Sequence, residues 1–327
     1  MPINNNESFM VSVIICCYTL ERLNDIVEAV ESVLTQTLKP LEIIVAVDNN
    51  EELYHYLRKK RFPDTRIILN TQARGFSQTK NLGILKAKGN IVAFMDDDAV
   101  AEKTWLEKLT NPFSPVKSIP DEYSSQKNIV ATGGTTIPRW SQGAPPSWFP
   151  EELYWAVGGT YKGLPLFENQ MRNVMGGNCA IRKDVFPKTG LFGTQFGRVG
   201  DTGVAEEAEF CLRLKTHLPD SIILFEPEAV IYHKVPASRS SLSYLKKRAF
   251  DEGKSKGRLA GFNHAKSVRW LKTENSYLKY LLFSAIPNRL KSFYRKDSLP
   301  QIFAIVVTIS ATLMGYICGR INGLRTR

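Results

Sequence analysis

Three consecutive aspartates, Asp96-Asp97-Asp98, follow directly on an apolar run, Ile91–Met95. Like charges crowded at one place disfavour ionisation unless a cation shares them. Hard divalent ions such as Mg²⁺ and Mn²⁺ take oxygen ligands, often one or two carboxylates completed by substrate phosphates. A metal held there would bridge to a diphosphate and neutralise charge growing on it as it departs. The bland alternative is a solvated acidic loop, and the triplet alone does not decide. Two further acidic positions invite the same question. Asp48 closes a second apolar run, Leu41–Val47, and Glu206-Glu207-Ala208-Glu209 opens a segment with helical spacing. Acids at a helix start are also explained by the helix dipole.

These residues need elements to position them. Val11–Cys17, Leu41–Val47 and Ile91–Met95 are continuous apolar runs of the kind buried on both faces, with a shorter run at Arg66–Leu69. Between them Leu23–Leu34, Glu51–Lys60 and Ser77–Ala87 read as helices. Strands alternating with helices imply an α/β fold with a mainly parallel sheet and helices on both faces. Ligands collect at the carboxyl ends of such strands, which is where Asp48 and Asp96 fall. From Asn111 to Gln170 prolines, glycines and aromatics dominate and the spacing predicts loops. Trp140, Trp148 and Trp155 there either stack on a sugar or form a small core under the loops. Glu206–Leu214 then reads as a helix, and Ser221–Phe225 and Ala229–Tyr232 as two short strands.

The chain has 327 residues and a formal charge of +11, an excess that points to an anionic partner. Its five cysteines, at 16, 17, 179, 211 and 318, show no metal spacing and leave one over. The expectation is a reducing compartment without a disulfide framework. The first ten residues carry no signal-peptide pattern, so the catalytic part is expected in the cytoplasm.

Taken in order, VSVIICCYTLERLNDIVEAVESVLTQT, LEIIVAVDNN, GFSQTKNLGILKAKGNIVAFMDDDA, GGNCAIRKDVF, AEEAEFCLRL and AVIYHKV resemble a family-2 glycosyltransferase over roughly residues 10 to 260. The resemblance implies the GT-A fold, a Rossmann-like sheet flanked by helices, and a nucleotide-sugar donor with Mn²⁺ or Mg²⁺ as cofactor. It places Tyr18 and Thr19 at the base, with Thr19 where the family usually has Asn. Asp48 would accept a hydrogen bond from the base, and Arg74 and Lys80 would approach the nucleotide. Asp96 would contact the ribose, Asp97 would lie between, and Asp98 with His233 would hold the metal. Glu207 takes the place of the general base, which inverting transfer needs to remove the acceptor's hydroxyl proton. Asn178, Trp148 and Trp155 are the candidates for the acceptor or donor sugar. The resemblance divides the chain into a nucleotide-sugar half (1–110), an acceptor and catalytic half (111–240) and a basic helical extension (241–327).

Within that extension Lys246, Lys247, Arg248, Lys254, Lys256, Arg258, Lys266, Arg269 and Lys272 precede an apolar stretch, Ile302–Cys318. It is just long enough to span a bilayer and is equally able to lie in the interface beside a polybasic surface. The expected location is the cell membrane, with the catalytic part facing the cytoplasm. The segments PPSWFPEELYWAVGGTYKGLP and SYLKKRAFDEGKSKGRLA are similar to those of transferases that extend dolichyl-phosphate-linked glycans. Glucuronosyltransferases acting on glucosyl-dolichyl phosphate are the nearest of these, which implies a lipid-linked acceptor and a UDP-sugar, UDP-glucuronate among the candidates. The alternatives are a surface-polysaccharide or glycoprotein glycosyltransferase with another donor, a sugar-phosphate nucleotidyltransferase, and a binding protein for anionic lipid or nucleic acid. No glycine-rich signature near the N-terminus supports the nucleotidyltransferase, and the acidic series argues against nucleic acid as a partner.

Overall fold

The computed structural model describes residues 10–114, 128–195, 206–260 and 271–325. Lys266, Arg269 and the N-terminal nine residues therefore lie outside the description.

Four parallel strands open the chain, β1 (Val11–Cys17), β2 (Glu42–Asp48), β3 (Thr65–Asn70) and β4 (Ile91–Asp96), of which the edge strand β3 is half-buried and the others buried. They alternate with α1 (Leu23–Leu34), α2 (Glu51–Lys60) and α3 (Phe76–Lys86). Along β1 successive side chains serve opposite faces. Val13, Ile15 and Cys17 join Ile26 and Val30 of α1 and Leu53 of α2, while Ile14 and Cys16 join Ile84 of α3 and Phe94. Cysteines 16, 17, 179 and 211 are free and buried, and the thiols of Cys16 and Cys17 are pushed up by burial, so they pack as small apolar groups.

After β4 the chain turns back as β5 (Ala99–Ala101) and enters α4 (Trp105–Thr110). The sheet is completed by β6 (Ile129–Trp140), β7 (Asn178–Arg182) and β8 (Ile222–Val235), giving one eight-stranded order, β3-β2-β1-β4-β7-β6-β8-β5. The short α5 (Phe186–Thr189) and α6 (Glu206–His217) pack Phe186 and Phe210 against the face that α3 covers.

Two expectations change here. The stretch from Asn111 to Gln170 is not all loop, because β6 contributes twelve residues of strand, IVATGGTTIPRW. The two short strands expected after Ser221 are one strand of fourteen residues, with a register shift against Gly134 and Thr135 absorbing the bend.

The C-terminal part is helical: α7 (Leu242–Leu259), α8 (Lys272–Tyr280), α9 (Ile286–Lys291) and α10 (Ser298–Arg325). A π turn, Leu281–Ala285, links α8 to α9 just before Pro287, whose missing N–H breaks the regular ladder. These helices share a third core with the aromatic loops, in which Trp140, Phe149 and Leu153 meet Leu245, Leu281 and Ile305. Arg289 closes it with a paired contact to the buried Glu152 carboxylate, at 2.7 Å from Oε2.

Candidate active site

The strand register assembles the acidic centre. Asp96 ends β4 beside Cys16 of β1, and Asp97 and Asp98 form the turn into β5. That strand pairs antiparallel with β8, placing Ala99 opposite His233, and the Lys234 N–H donates to the Asp98 carbonyl at 2.9 Å. Segments 135 residues apart thus meet side by side. His233 Nε2 lies 3.1 Å from Asp98 Oδ1 and 3.9 Å from Asp96 Oδ2. One ligand atom from each of the three converges within 4.8 Å of the others.

Electrostatics describe a cluster short of positive charge. Burial pushes the Asp97 carboxyl up to about 7, against the pull of Arg22 and with Asp98 and Asp96 adding to the rise. Asp98 is buried too, yet His233 and Arg22 hold it well below the usual carboxylate range. His233 is raised because Asp98 outweighs the cost of burying its charge. His233 Nδ1 and Asp97 Oδ2 are buried and have no hydrogen-bond partner among the described residues. Two carboxylates and an imidazole suit a divalent ion that accepts both oxygen and nitrogen. Asp96, Asp98 and His233 are the residues that would hold it.

Arg22 is the neighbour that spacing did not reveal. It ends a 3-10 turn, Leu20–Arg22, and its Nη1 lies 2.8 Å from Asp97 Oδ1 and 3.0 Å from Asp98 Oδ2. Its guanidinium also sits 5.6 Å from the centroid of the Tyr18 ring. A basic residue one turn beyond the first strand was its only sequence signal.

A second charged pair faces the cluster across two glycines. Lys80, 1% exposed, reaches Glu207 in the first turn of α6, with Nζ 2.7 Å from Oε1. Phe76 and Phe192 flank the ammonium at 4.4 and 5.2 Å from their ring centroids. Burial alone would lower the Lys80 pKa, but Glu207 and Glu206 raise it, so it stays charged. Glu206 is pushed up to about 8 by burial and by Glu207, and is protonated at neutral pH. Between the two centres a Cβ on Gly176 would stand 1.7 Å from Glu207 Oε1, and one on Gly177 would stand 2.0 Å from Asp96 Oδ2. Only bare backbone lets both carboxylates approach this turn.

One cavity of about 750 Å³ joins the parts. Tyr18, Asp48, Arg74 and Asp96–Asp98 line one region, and Gly176, Gly177 and Glu207 lie beside them. The wall continues through Trp155, Tyr161, Arg239 and Tyr244 to Thr308, Ile309, Thr312 and Tyr316 on α10.

Several expected site residues have other work. Asn178 is fully buried outside the cavity wall: its Oδ1 accepts from Trp105 Nε1 at 2.8 Å and its Nδ2 donates to the Thr135 and Ala229 carbonyls. Both amide donors are used, and burial outside the cavity keeps the oxygen from a sugar. Trp148 does not line the cavity and packs on Phe149 in the third core, 5.3 Å between ring centroids, which is the small-core alternative for the tryptophans. Trp140 joins the same core, whereas Trp155 does line the cavity. The Thr19 side chain caps the turn by accepting from the Glu21 N–H, and Asp97 is engaged by Arg22. Lys80 is turned to Glu207 and does not line the cavity. The Asp48 carboxylate accepts from the Gly75 N–H at 3.0 Å and from Asn70 Nδ2 at 3.0 Å while still lining the cavity.

The class that this sheet and site define is a nucleotide-sugar-dependent transferase of the GT-A type. Two solved structures share the fold: the mannosyltransferase PcManGT from Pyrobaculum calidifontis in complex with GDP-Man and Mn²⁺ (TM-score 0.56, 14% identity, 99% of this chain and 89% of that one), and GalNAc-T7 with UDP, GalNAc and Mn²⁺ (TM-score 0.52, 16% identity, 86% and 57%). The family model for Glycosyl transferase family 2 matches residues 12–190. The glucosyl-dolichyl phosphate glucuronosyltransferase of Haloferax volcanii is 35% identical over 315 residues, 94% of this chain and 96% of that protein. The succinoglycan biosynthesis protein ExoM of Rhizobium meliloti is 25% identical over 78% of this chain and 76% of its own. The chain belongs to glycosyl transferase family 2, and it is a glycosyltransferase.

Proposed function

We propose that this chain moves a sugar, with inversion, from a UDP-sugar to a lipid-linked glycan built on a dolichyl or polyprenyl phosphate. The observation that carries the reading is the single cavity running from the Asp96–Asp98–His233 cluster past Glu207 to the apolar helix α10. A donor diphosphate belongs at the first end and an apolar acceptor tail at the other. The near full-length likeness to a glucosyl-dolichyl phosphate glucuronosyltransferase supports this acceptor class, with UDP-glucuronate as the first donor to try.

A bound Mn²⁺ or Mg²⁺ supplies charge neutralisation for the leaving diphosphate. Asp96, Asp98 and His233 would hold the ion, and Arg22 fixes the aspartate turn through Asp97 and Asp98. Tyr18, Asp48 and Arg74 bind the nucleoside. Glu207, held in place by Lys80, accepts the acceptor's hydroxyl proton as the new glycosidic bond forms and the nucleotide departs. Trp155 offers an aromatic face to a sugar, and the membrane lies on the side of α10, with the catalytic part on its cytoplasmic face.

The test is direct. Purified protein with Mn²⁺ is offered a panel of UDP-sugars and a short polyprenyl-phosphate-linked glucose. Wild type extends the lipid by one sugar, and Glu207→Gln does not while still binding UDP by calorimetry. Retained turnover in Glu207→Gln removes the base assignment. The likeness to a succinoglycan biosynthesis protein favours a second reading, a surface-polysaccharide acceptor with another donor, which the same panel separates.

A further inference from the structure

Helices α7 and α10 meet backbone to backbone. Gly253 and Gly257 stand four apart on α7, and Gly315 and Gly319 four apart on α10. A Cβ on Gly253 would lie 2.0 Å from the Thr312 carbonyl oxygen, and one on Gly257 would lie 2.3 Å from that of Tyr316. In return, Gly315 faces the Phe250 oxygen at 2.0 Å and Gly319 the Lys254 oxygen at 2.1 Å. Such a seam admits no side chain and locks the helices together along residues 312–319. Nearer its start, α10 buries Ala304 and Ile305 in the third core. Both halves of the helix therefore already carry protein on one side.

By length and composition alone, Ser298–Ile321 could cross a membrane. Crossing would drag α7 into the hydrocarbon with it. That helix carries Lys246, Lys247, Asp251, Lys254 and Arg258, and Lys246, Lys247 and Arg258 are exposed. Ionised groups at that depth are strongly disfavoured. The other side of α10 is different. Phe303, Val306, Met314, Ile317 and Ile321 are exposed there and, with exposed Ser310 between Val306 and Met314, recur at spacings of three and four along one mostly apolar stripe. The packed neighbour α9 and the connection after it add exposed Leu290, Phe293 and Tyr294, interleaved with exposed Lys291, Arg295 and Lys296. Between residues 286 and 321 the sequence has five basic side chains and one acid, Asp297.

We propose that α9 and α10 form a face that docks onto an anionic bilayer surface, with α10 lying in the plane of one leaflet and not crossing it. This rests on the lipid-linked acceptor reading above. Thr308, Ile309, Thr312 and Tyr316 belong to the inner side of α10 and line the cavity. A lipid-linked acceptor in the same leaflet can thus reach the cavity along the inner side of α10.

The experiment is a sidedness map. Cys318 is the exposed cysteine and the other four are buried, so Cys318→Ser gives a quiet background for the full chain. Single cysteines Lys60→Cys, Lys296→Cys and Arg320→Cys are then treated with a membrane-impermeant maleimide in sealed membrane vesicles of either orientation. All three label from the same side if the helix lies in plane. Labelling of Arg320→Cys only where Lys60→Cys is shielded means that α10 spans, and overturns the proposal. Replacing apolar stripe residues, as in Phe303→Asp with Ile317→Asp, should lower binding to phosphatidylglycerol-containing vesicles by about tenfold or more. Unchanged binding overturns it, as does a dimer by sedimentation velocity that these substitutions break, which would make a second copy the occupant. UDP binding and lipid extension are scored on the same samples. Docking without extension refutes the acceptor reading, and extension by a spanning helix refutes only the docking geometry.

Discussion

Gly177→Ala is the sharpest probe of the centre. Gly177 does not sit in the left-handed region, so alanine suits its backbone. The new methyl carbon would fall 2.0 Å from Asp96 Oδ2 and 2.3 Å from Asp96 Cγ. Carbon and oxygen in contact normally stand about 3.3 Å apart, so the carboxylate must withdraw by roughly 1 Å. A displacement of that size at a reacting centre costs about 10²-fold in kcat/KM, or about 2.7 kcal/mol of transition-state stabilisation. Release of nucleoside diphosphate, measured across donor concentrations with Mn²⁺, should show this loss together with weaker metal-dependent UDP binding. Gly176→Ala makes the companion test, because its methyl would strike Glu207 Oε1 at 1.7 Å. It should depress kcat while leaving UDP binding intact. The control is Gly143→Ala, where φ is +82° and nothing lies within 4 Å. That change costs about 1 kcal/mol of stability and no turnover. Gly177→Ala retaining kcat/KM within about threefold of wild type would refute the idea that Asp96 must occupy this position.

Three further outcomes follow from the charges. His233→Ala and Asp98→Asn should each weaken Mn²⁺-dependent UDP binding by about tenfold or more, read by calorimetry with and without metal. Lys80→Met and Glu207→Gln should couple in a double-mutant cycle of urea unfolding by about 2–3 kcal/mol, since either alone leaves a buried or half-buried charge without its partner. Glu206, raised to about 8 in the fold from 4.5, binds a proton that the unfolded chain has released over that interval. Its contribution is present below pH 4.5 and lost as pH rises to 8. Glu206→Gln should therefore flatten the fall in the unfolding midpoint between pH 6 and 8.5, and an unchanged slope would contradict a protonated Glu206.

β1, β2 and β4 were legible because they are almost wholly apolar runs, as burial on both faces demands, whereas the edge strand β3, half-buried, showed only its short Ile67–Leu69 core. β6 was hidden because Gly133, Gly134 and Pro138 count against a strand, yet here the glycines admit the neighbouring Asn178 and Met171 side chains. Asp96–Asp98 and His233 came from motif order, and the pairing of β5 with β8 is what brings them together. Spacing could not show that Lys80 turns to Glu207, since that contact joins residues 127 apart in sequence. Asn178 was misread for a related reason. A polar residue beside two glycines suggests a ligand contact, and only the surrounding strands show its amide filled by Trp105 and two carbonyls.

The Ala99–His233 register has a consequence for synthesis. A nascent chain exposes its aspartate triplet long before the strand bearing His233 leaves the ribosome. Until β8 has docked in register, those carboxylates lack the imidazole that completes their set. A slip of one residue would point His233 to the opposite face of the sheet. If Asp96, Asp98 and His233 hold the metal as proposed, metal-dependent binding of the donor would report that β8 has closed in register.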